Sequence, residues 1–169
     1  LAVSTPGEHD RQPPAADRGV EVLFRSSYVP MVRLATFLVG RSEVAEELVQ
    51  DAFVRVAPKL AYVEAPAAYL RVAVVNACRS WQRQQGRERS ALSVLAGARD
   101  DVVSDRPGEL TDALARLRQR QRAAIVLRYW QDLPEAEIAA VLGCRPGTVK
   151  SLLSRGLATL RRELGGEDA

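Results

Sequence analysis

Apolar positions near the end of the chain repeat with the period of an α-helix. One stripe is formed by Val149, Leu153, Leu157, Leu160 and Leu164. At about 100° per residue, a different face collects Thr148, Ser151, Arg155 and Arg162. A helix with one packed face and one polar, cationic face suits the major groove of DNA. The pattern therefore predicts a recognition helix.

The segment before this stripe predicts a shorter helix and a sharp turn. Ile138 and Leu142 are four residues apart on one helix face, and Ala139 is small enough for a second helix to cross closely. Gly143 tolerates the positive φ at which helices often end, and Pro146 suits the first turn of the next helix. This is the spacing of a helix-turn-helix. An ordinary helical hairpin with a glycine cap is the alternative.

The rest of the chain also shows helical periodicity. Gly40 should close the first helix, Ser42 should be the N-cap of the second, and the second should end near Pro58. We expect a loop over residues 59–66, because Pro66 disfavours helix in the residue before it. The predicted helices cover residues 20–38, 43–58, 67–89 and 110 or 111 onwards. No long segment alternates like a strand, so the predicted fold class is all-α.

Composition divides the chain into two small helical domains. Residues 1–19, with three prolines, are predicted to be a disordered tail, and residues 20–90 the first domain. Residues 91–109 read as a flexible acidic linker of net charge −2, and residues 110–169 as the helix-turn-helix domain. We see no apolar run long enough to span a bilayer and no signal-peptide pattern. We therefore expect a cytoplasmic protein without membrane insertion.

Charge is distributed unevenly along the chain, although the net charge is only +3. Residues 69–90 carry five arginines and one acid, and residues 145–162 carry five cations and no acid. Residues 41–56 instead have net charge −2. Two basic surfaces separated by acidic ones indicate two nucleic-acid contacts and one contact of another kind.

Catalytic and metal-binding patterns are lacking in the sequence. His9 is the only histidine and lies in the predicted tail, and Cys78 and Cys144 have neither disulfide-framework nor zinc spacing. We interpret both cysteines as small buried residues of a reducing compartment. No nucleophile–base pair or phosphate-binding glycine loop is evident. We expect no enzyme activity, no metal and no cofactor.

Three sequence blocks resemble a known family. They are AEELVQDAF at residues 45–53, AYLRVAVVN at residues 68–76 with a basic run after it, and GTVKS at residues 147–151 followed by Ser154 and Arg155. In this order, and over residues 20–164, they resemble the extracytoplasmic-function (ECF) group of sigma-70 factors. The resemblance implies a sigma2-like bundle and a sigma4-like helix-turn-helix.

By this resemblance, the first block implies binding to core RNA polymerase, which such factors contact through its clamp helices and flap. The implied contact residues are Glu46, Glu47, Leu48, Gln50, Asp51 and Phe53. Gln50 and Asp51 are the better candidates. Phe53 fits a core position better than a contact position.

The second block resembles the region that recognises and opens the −10 promoter element. The implied DNA contacts are Lys59, Tyr62, Asn76, Arg79, Arg83 and Arg87. Asn76 and the loop with Tyr62 should form a pocket for an extruded base, while the arginines follow phosphates. Trp81 is expected either to stack on a base or to pack against the core.

The third block resembles the reader of the −35 element. The implied contacts are Arg145, Thr148, Lys150, Ser151, Ser154 and Arg155. Leu152 replaces a common arginine, and Arg145 replaces the small polar residue that usually caps this helix. Both departures should alter −35 preference.

The function implied is promoter recognition and melting as a subunit of RNA polymerase, with promoter DNA and an anti-sigma factor as further partners. Two alternatives stay open at this point. A stand-alone helix-turn-helix regulator would bind an operator without polymerase. A helical adaptor would bind only proteins, with no DNA affinity.

Overall fold

A computed structural model describes residues 15–96 and 108–164, apart from the side chains of residues 15–18, 61 and 92–96. These residues form seven α-helices and one short 3₁₀ helix, and they contain no strand. The helices are α1 (Ala15–Val39), α2 (Ser42–Val56), α3 (Pro66–Ala96), α4 (Glu109–Ala115), α5 (Gln119–Tyr129), α6 (Glu135–Leu142) and α7 (Pro146–Leu164). The all-α prediction is confirmed.

Helices α1, α2 and α3 pack together as the N-terminal unit. Its core contains the fully buried side chains of Leu34, Val49, Leu70 and Val74. Gly40, at φ 78°, ends α1 as expected. Ser42 is wrong as an N-cap, because Arg41 holds that position in extended conformation and Ser42 is already helical.

The segment after α2 is more ordered than a loop. Residues Ala57–Tyr62 form a 3₁₀ helix, with Pro58 in its first turn, where a missing N–H costs nothing. The non-helical connection shrinks to residues 63–65, and Pro66 itself begins α3. The predicted loop over residues 59–66 is therefore wrong for most of its length.

Two further boundaries differ from the sequence prediction. Helix α1 already begins at Ala15, inside the predicted tail, and α3 continues to Ala96, inside the predicted linker. The remaining tail and linker residues, 1–14 and 97–107, lie outside the described residues. Helix α3 extends because no proline or glycine follows residue 90 before Gly97, whereas α1 continues through Gly19 and begins directly after Pro13 and Pro14 in the sequence.

The prediction that no segment could span a bilayer was wrong as a statement about length and composition. Gly19–Val39 in α1 has a mean hydropathy of 1.3 and is long enough to cross. The buried share of this segment is 44%. Its apolar face, which includes Leu23, Met31 and Leu34, packs into the helical core. The core helix of a folded domain can have the same length and hydropathy as a membrane span.

Helices α4 to α7 form the C-terminal unit and contain the predicted helix-turn-helix. Helix α6 ends in Gly143 at φ 59°. The N–H of Cys144 donates to the Ala139 carbonyl (2.9 Å) and that of Gly143 to Ala140 (3.3 Å), which is the Schellman pattern. Pro146 then begins α7. The motif read from residues 135–155 is confirmed.

Helix α7 crosses α5 at close range. Gly156 is buried, and a Cβ atom there would lie 3.0 Å from Cγ1 of Ile125 and 3.5 Å from Cβ of Gln121. Glycine is therefore the residue that allows this approach. The crossing fixes where α7 sits, and with it the direction in which its outer face points.

Candidate nucleic-acid interface

The outer face of α7 is exposed over its whole length, above a stripe that is packed. Val149, Leu153 and Leu160 are buried, which leaves the polar face to solvent. All six candidate −35 residues are exposed: Arg145, Thr148, Lys150, Ser151, Ser154 and Arg155. The Arg145 carbonyl accepts from the N–H of Thr148 (2.9 Å), so Arg145 occupies the capping position with a cationic side chain. This face offers donors and positive charge to a groove.

Helix α3 carries the second basic surface. Arg83 and Arg87 are exposed, and each donates within α3: Arg83 to the Ser80 hydroxyl (3.1 Å) and Arg87 to the Arg83 carbonyl (3.4 Å). Arg79 differs, because it is half-buried and its Nη1 donates to the Leu142 carbonyl of α6 (3.4 Å). Burial, and then the charges of Arg120 and Arg83, lower the pKa of Arg79.

The expected −10 pocket is distributed over two places. Tyr62 is 88% exposed, and Lys59 Nζ donates to the Tyr69 hydroxyl (3.4 Å). Asn76 lies ten residues along α3 from Pro66, about 15 Å by helical rise. It lines a groove between α2 and α3 whose lining includes Leu48, Asp51 and Trp81 and none of residues 59–66. The structure therefore brings Asn76 together with α2 rather than with Tyr62.

The acidic face of α2 is exposed where the first sequence block placed it. Glu46, Glu47, Gln50 and Asp51 are exposed, and Leu48 is half-buried. Phe53 is only 6% exposed and packs against the rings of Phe24 (5.1 Å between centroids) and Tyr28 (6.2 Å). The ring of Phe53 lies in the core, as the core interpretation of this residue predicts, and its part in polymerase binding stays a prediction. It supports the acidic face from beneath.

The two units touch through an arginine that the sequence prediction did not include. Arg122 of α5 is 7% exposed, and its Nη1 donates to the Leu38 carbonyl at the end of α1 (2.7 Å). Its Nη2 donates to the carbonyls of Ala115 (2.5 Å) and Leu117 (3.3 Å). Burial lowers the pKa of Arg122 to about 10, so the guanidinium is charged at neutral pH.

An aromatic contact lies at the same interface. The ring of Phe37 in α1 meets that of Trp130, just after α5, edge to face with centroids 4.8 Å apart. The sequence predicts two domains joined by an acidic linker and does not predict this contact. The sequence does contain one indication that Arg122 is buried. It precedes Ile125 and Val126 by three and four residues, which places it on the core-facing side of α5.

The two cysteines lie in different environments. Cys78 is fully buried on the core-facing side of α3, and burial raises the pKa of its thiol to about 12. Cys144, in the turn before α7, is only half-buried, so the expectation of two buried cysteines is confirmed for Cys78 alone. Among the described residues, no group of His, Cys, Asp or Glu side chains could hold a metal ion.

Fold and surface together define a helical DNA-binding protein with a helix-turn-helix and a second basic helix. The family described as "Sigma-70 region 2" matches residues 23–88, and "Sigma-70, region 4" matches residues 108–160. The "RNA polymerase sigma-E factor" of Streptomyces avermitilis is 35% identical over 88% of this chain and 89% of its own length. The "ECF RNA polymerase sigma factor SigM" of Mycobacterium tuberculosis is 34% identical over 97% of this chain and 90% of its own length.

Solved structures show the same architecture. The sigma factor RpoE of Bartonella quintana, solved with the anti-sigma factor NepR, superposes with a TM-score of 0.73 at 26% identity. That match covers 88% of this chain and 98% of the other. The chain belongs to the ECF group of the sigma-70 family. It is an RNA polymerase sigma factor, a subunit that initiates transcription at promoters.

Proposed function

We propose that this sigma factor contacts a promoter at two points, the −35 element with α7 and the −10 element with α3. The observation that carries the proposal is the exposed cationic face of α7 above its buried apolar stripe. Thr148, Ser151 and Arg155 read base edges in the major groove, and the neighbouring cations contact phosphates. The assigned −35 residues are Arg145, Thr148, Lys150, Ser151, Ser154 and Arg155.

The −10 contact belongs to the N-terminal unit. Arg83 and Arg87 follow the phosphate backbone, and the exposed ring of Tyr62 is available to stack on a base that has left the duplex. Extruding a base costs roughly a few kcal/mol, so the site must stabilise it afterwards. The assigned −10 residues are Lys59, Tyr62, Asn76, Arg79, Arg83 and Arg87, with Asn76 acting from the α2–α3 groove.

Core polymerase binds the acidic face of α2 through its clamp helices, and contacts the factor again through its flap. Gln50 and Asp51 are the central residues, with Glu46, Glu47 and Leu48 beside them. Gln50 Nε2 already donates to the Tyr28 hydroxyl (3.5 Å), which orients the amide on this face. We assign core binding and −10 recognition to residues 15–96, and −35 recognition to residues 108–164.

The protein acts without catalytic activity of its own, in the cytoplasm, where polymerase is found. Membership of a family of non-enzymatic regulators supports the first statement. An anti-sigma factor is the further partner. An apolar cavity of about 180 Å³ beside the unit interface supports it, because such a cavity accepts an apolar side chain of a partner helix. Its lining includes Phe37, Leu110, Tyr129 and Trp130.

Transcription in vitro tests the function. We expect core polymerase plus this protein to initiate at defined sites on a genomic template library, with shared elements at two fixed distances upstream of the mapped 5′ ends. Core polymerase alone serves as the control. Initiation no different from that control would contradict the proposal. Tight operator binding without polymerase would favour a stand-alone regulator instead.

A charge reversal on α2 tests the polymerase surface. We expect Asp51→Arg to weaken binding to core polymerase by about 1–3 kcal/mol, because it removes an acceptor and reverses the charge at the centre of the proposed contact. Glu43→Arg is the matched control, since Glu43 is an exposed acid at the other end of the same helix. Equal loss in both variants would mean that only overall charge matters.

A further inference from the structure

Four helices converge on the apolar cavity of about 180 Å³. Its wall combines Phe37 of α1 and Leu114 of α4 with Val126 of α5 and Leu160 of α7. Leu114, Val126 and Leu160 are buried, so close packing against their neighbours fixes the shape of the wall. The cavity is therefore formed by packed helices and not by loops.

The residues that line this cavity are all aliphatic or aromatic, and none of them carries a charge. The only polar side-chain groups among these lining residues are the Tyr129 hydroxyl and the Trp130 indole N–H. A buried water molecule needs two to four polar partners, whereas an apolar cavity of about 150 Å³ with leucine, isoleucine and phenylalanine walls stays dry and binds benzene. A compact apolar molecule therefore suits this cavity better than water does.

The volume of the cavity limits its ligand to about one ring. Sites for drug-sized molecules and cofactors enclose roughly 300–1,000 Å³, so a nucleotide or a flavin would not fit. A stable protein partner needs roughly 800 Å² of surface on each side, and a cavity of this size could receive only one of its side chains. The ligand that the cavity itself selects is a small molecule.

Aromatic residues at the mouth favour an aromatic ligand. Tyr129 and Trp130 line the cavity and are nevertheless exposed, as is Leu110. The rings of Phe37 and Trp130 already meet edge to face, with centroids 4.8 Å apart. A further ring inside the cavity would extend this arrangement and would bury apolar surface of the ligand and of the mouth together.

We propose that this cavity is a binding site for one compact, uncharged aromatic molecule. Because such a ligand has few atoms, we expect a Kd of about 0.1–1 mM. One consequence rests on the proposed function, since the ligand and an apolar side chain of the anti-sigma factor cannot occupy the cavity together. At about ten times its Kd, the ligand should weaken binding of that partner about elevenfold.

The test uses the full chain with ¹³C-labelled methyl groups, and toluene is the probe. We expect the NMR signals of the methyl groups of Leu114, Ile125 and Leu160 to shift saturably as toluene is added, because these groups line the cavity. The methyl groups of Val49 and Leu70, in the core of the N-terminal unit, should not shift. Benzoate is the control ligand. It has the same ring with a charge that the lining cannot pair, so it should bind at least about tenfold more weakly.

Substitutions of two exposed leucines locate the site. Leu110→Trp adds a ring of the chain itself at the mouth and should weaken toluene binding at least about tenfold. Leu164→Trp is the matched control, because Leu164 is an exposed leucine of the same unit that does not line the cavity. It should leave the Kd for toluene unchanged. The same Kd in both variants would contradict the proposed location.

The absence of any saturable shift of the cavity methyl groups in toluene-saturated buffer would overturn the proposal. Equal affinity for benzoate, or shifts of equal size at Val49 and Leu70, would also overturn it, since either result indicates non-specific binding. Polymerase, DNA and a partner protein take no part in this experiment. Its failure is therefore distinguishable from a failure of promoter-directed initiation.

Discussion

Helices α3 and α7 are both basic and both assigned to DNA, yet the structure presents them differently. Helix α7 exposes its six candidate residues to solvent above a buried stripe. Helix α3 exposes Arg83 and Arg87, but Arg79 is half-buried against the end of α6. The −35 reader is thus available as the protein stands, and the −10 reader is only partly so. Substitutions in the two helices should therefore have different effects.

The two cysteines give the largest contrast, because Cys78 lies on the buried side of α3 and Cys144 lies half-buried in the turn before α7. We expect alkylation at pH 8 to modify Cys144 at least about a hundredfold faster than Cys78, since only the thiolate reacts. Burial and a pKa of about 12 keep Cys78 neutral and inaccessible. Mass spectrometry of peptides from the folded protein measures both rates. Comparable rates would show that α3 is not packed as described.

The same thiol predicts a dependence of stability on alkaline pH. In the unfolded chain Cys78 should titrate near its ordinary pKa of about 8.5. Its stabilising contribution is therefore complete below that pH and is lost as the pH rises towards 12, because the unfolded state ionises first. Urea melts between pH 8 and 10 should show this decline. Cys78→Ala, which cannot ionise, should flatten it, and an unchanged slope would contradict the assignment.

Arg155→Ala tests the exposed reader. We expect the holoenzyme to lose about 1–3 kcal/mol of binding on a matched −35 element, a tenfold or larger effect, and less on a scrambled element. Arg161→Ala is the control, since Arg161 is exposed on a different face of α7. Equal loss on both DNAs would mean that Arg155 contacts only phosphate.

Substitutions of one glycine in α7 and one in α3 test how tightly each helix packs against its neighbours. Gly156→Val should destabilise the C-terminal unit by about 1–3 kcal/mol, because the new side chain meets Ile125 at the α5–α7 crossing. Gly86→Ala on α3 should instead stabilise by about 0.5–1 kcal/mol, because a Cβ there meets nothing within 4 Å. Chemical denaturation measures both. A tolerated Gly156→Val would show that α7 can move away from α5.

The smallest effect compares two arginines of α3. Arg83→Ala and Arg79→Ala should each weaken −10 binding uniformly across sequences and lower the salt slope by about 1. In the free factor, only Arg79→Ala should lower stability, since Arg79 donates to the Leu142 carbonyl of α6 whereas Arg83 makes its contact within α3. Salt titrations of holoenzyme binding and chemical denaturation of the free factor test the two halves of this prediction. Identical stability of both variants would contradict it.

Local signals predicted the helix-turn-helix and left other boundaries wrong. Gly143 and Pro146 fixed the turn because each residue has few conformational options. The N-cap prediction at Ser42 was wrong because serine is only a statistical preference at that position. Here the extended residue before the helix is Arg41. The 3₁₀ helix at residues 57–62 was missed since about two turns of helix leave almost no periodicity in a sequence.

The surfaces were easier to predict than what lies between them. Exposure of Gln50, Asp51 and the α7 face follows from helical period once the buried stripe is known. Phe53 shows the limit, because an aromatic residue beside an acidic face suits either core or contact until its neighbours Phe24 and Tyr28 are placed. The role of Arg122 depends on a carbonyl 84 residues away, which no local pattern reveals.

The claim that one chain reads two promoter elements is tested most directly by changing the distance between them. On a promoter mapped with this holoenzyme, inserting about five base pairs between the elements rotates one relative to the other by roughly half a turn. The account predicts at least a tenfold loss of initiation in a run-off assay, with the same insertion upstream of the −35 element having no effect. Initiation that is indifferent to both insertions would contradict a two-point contact.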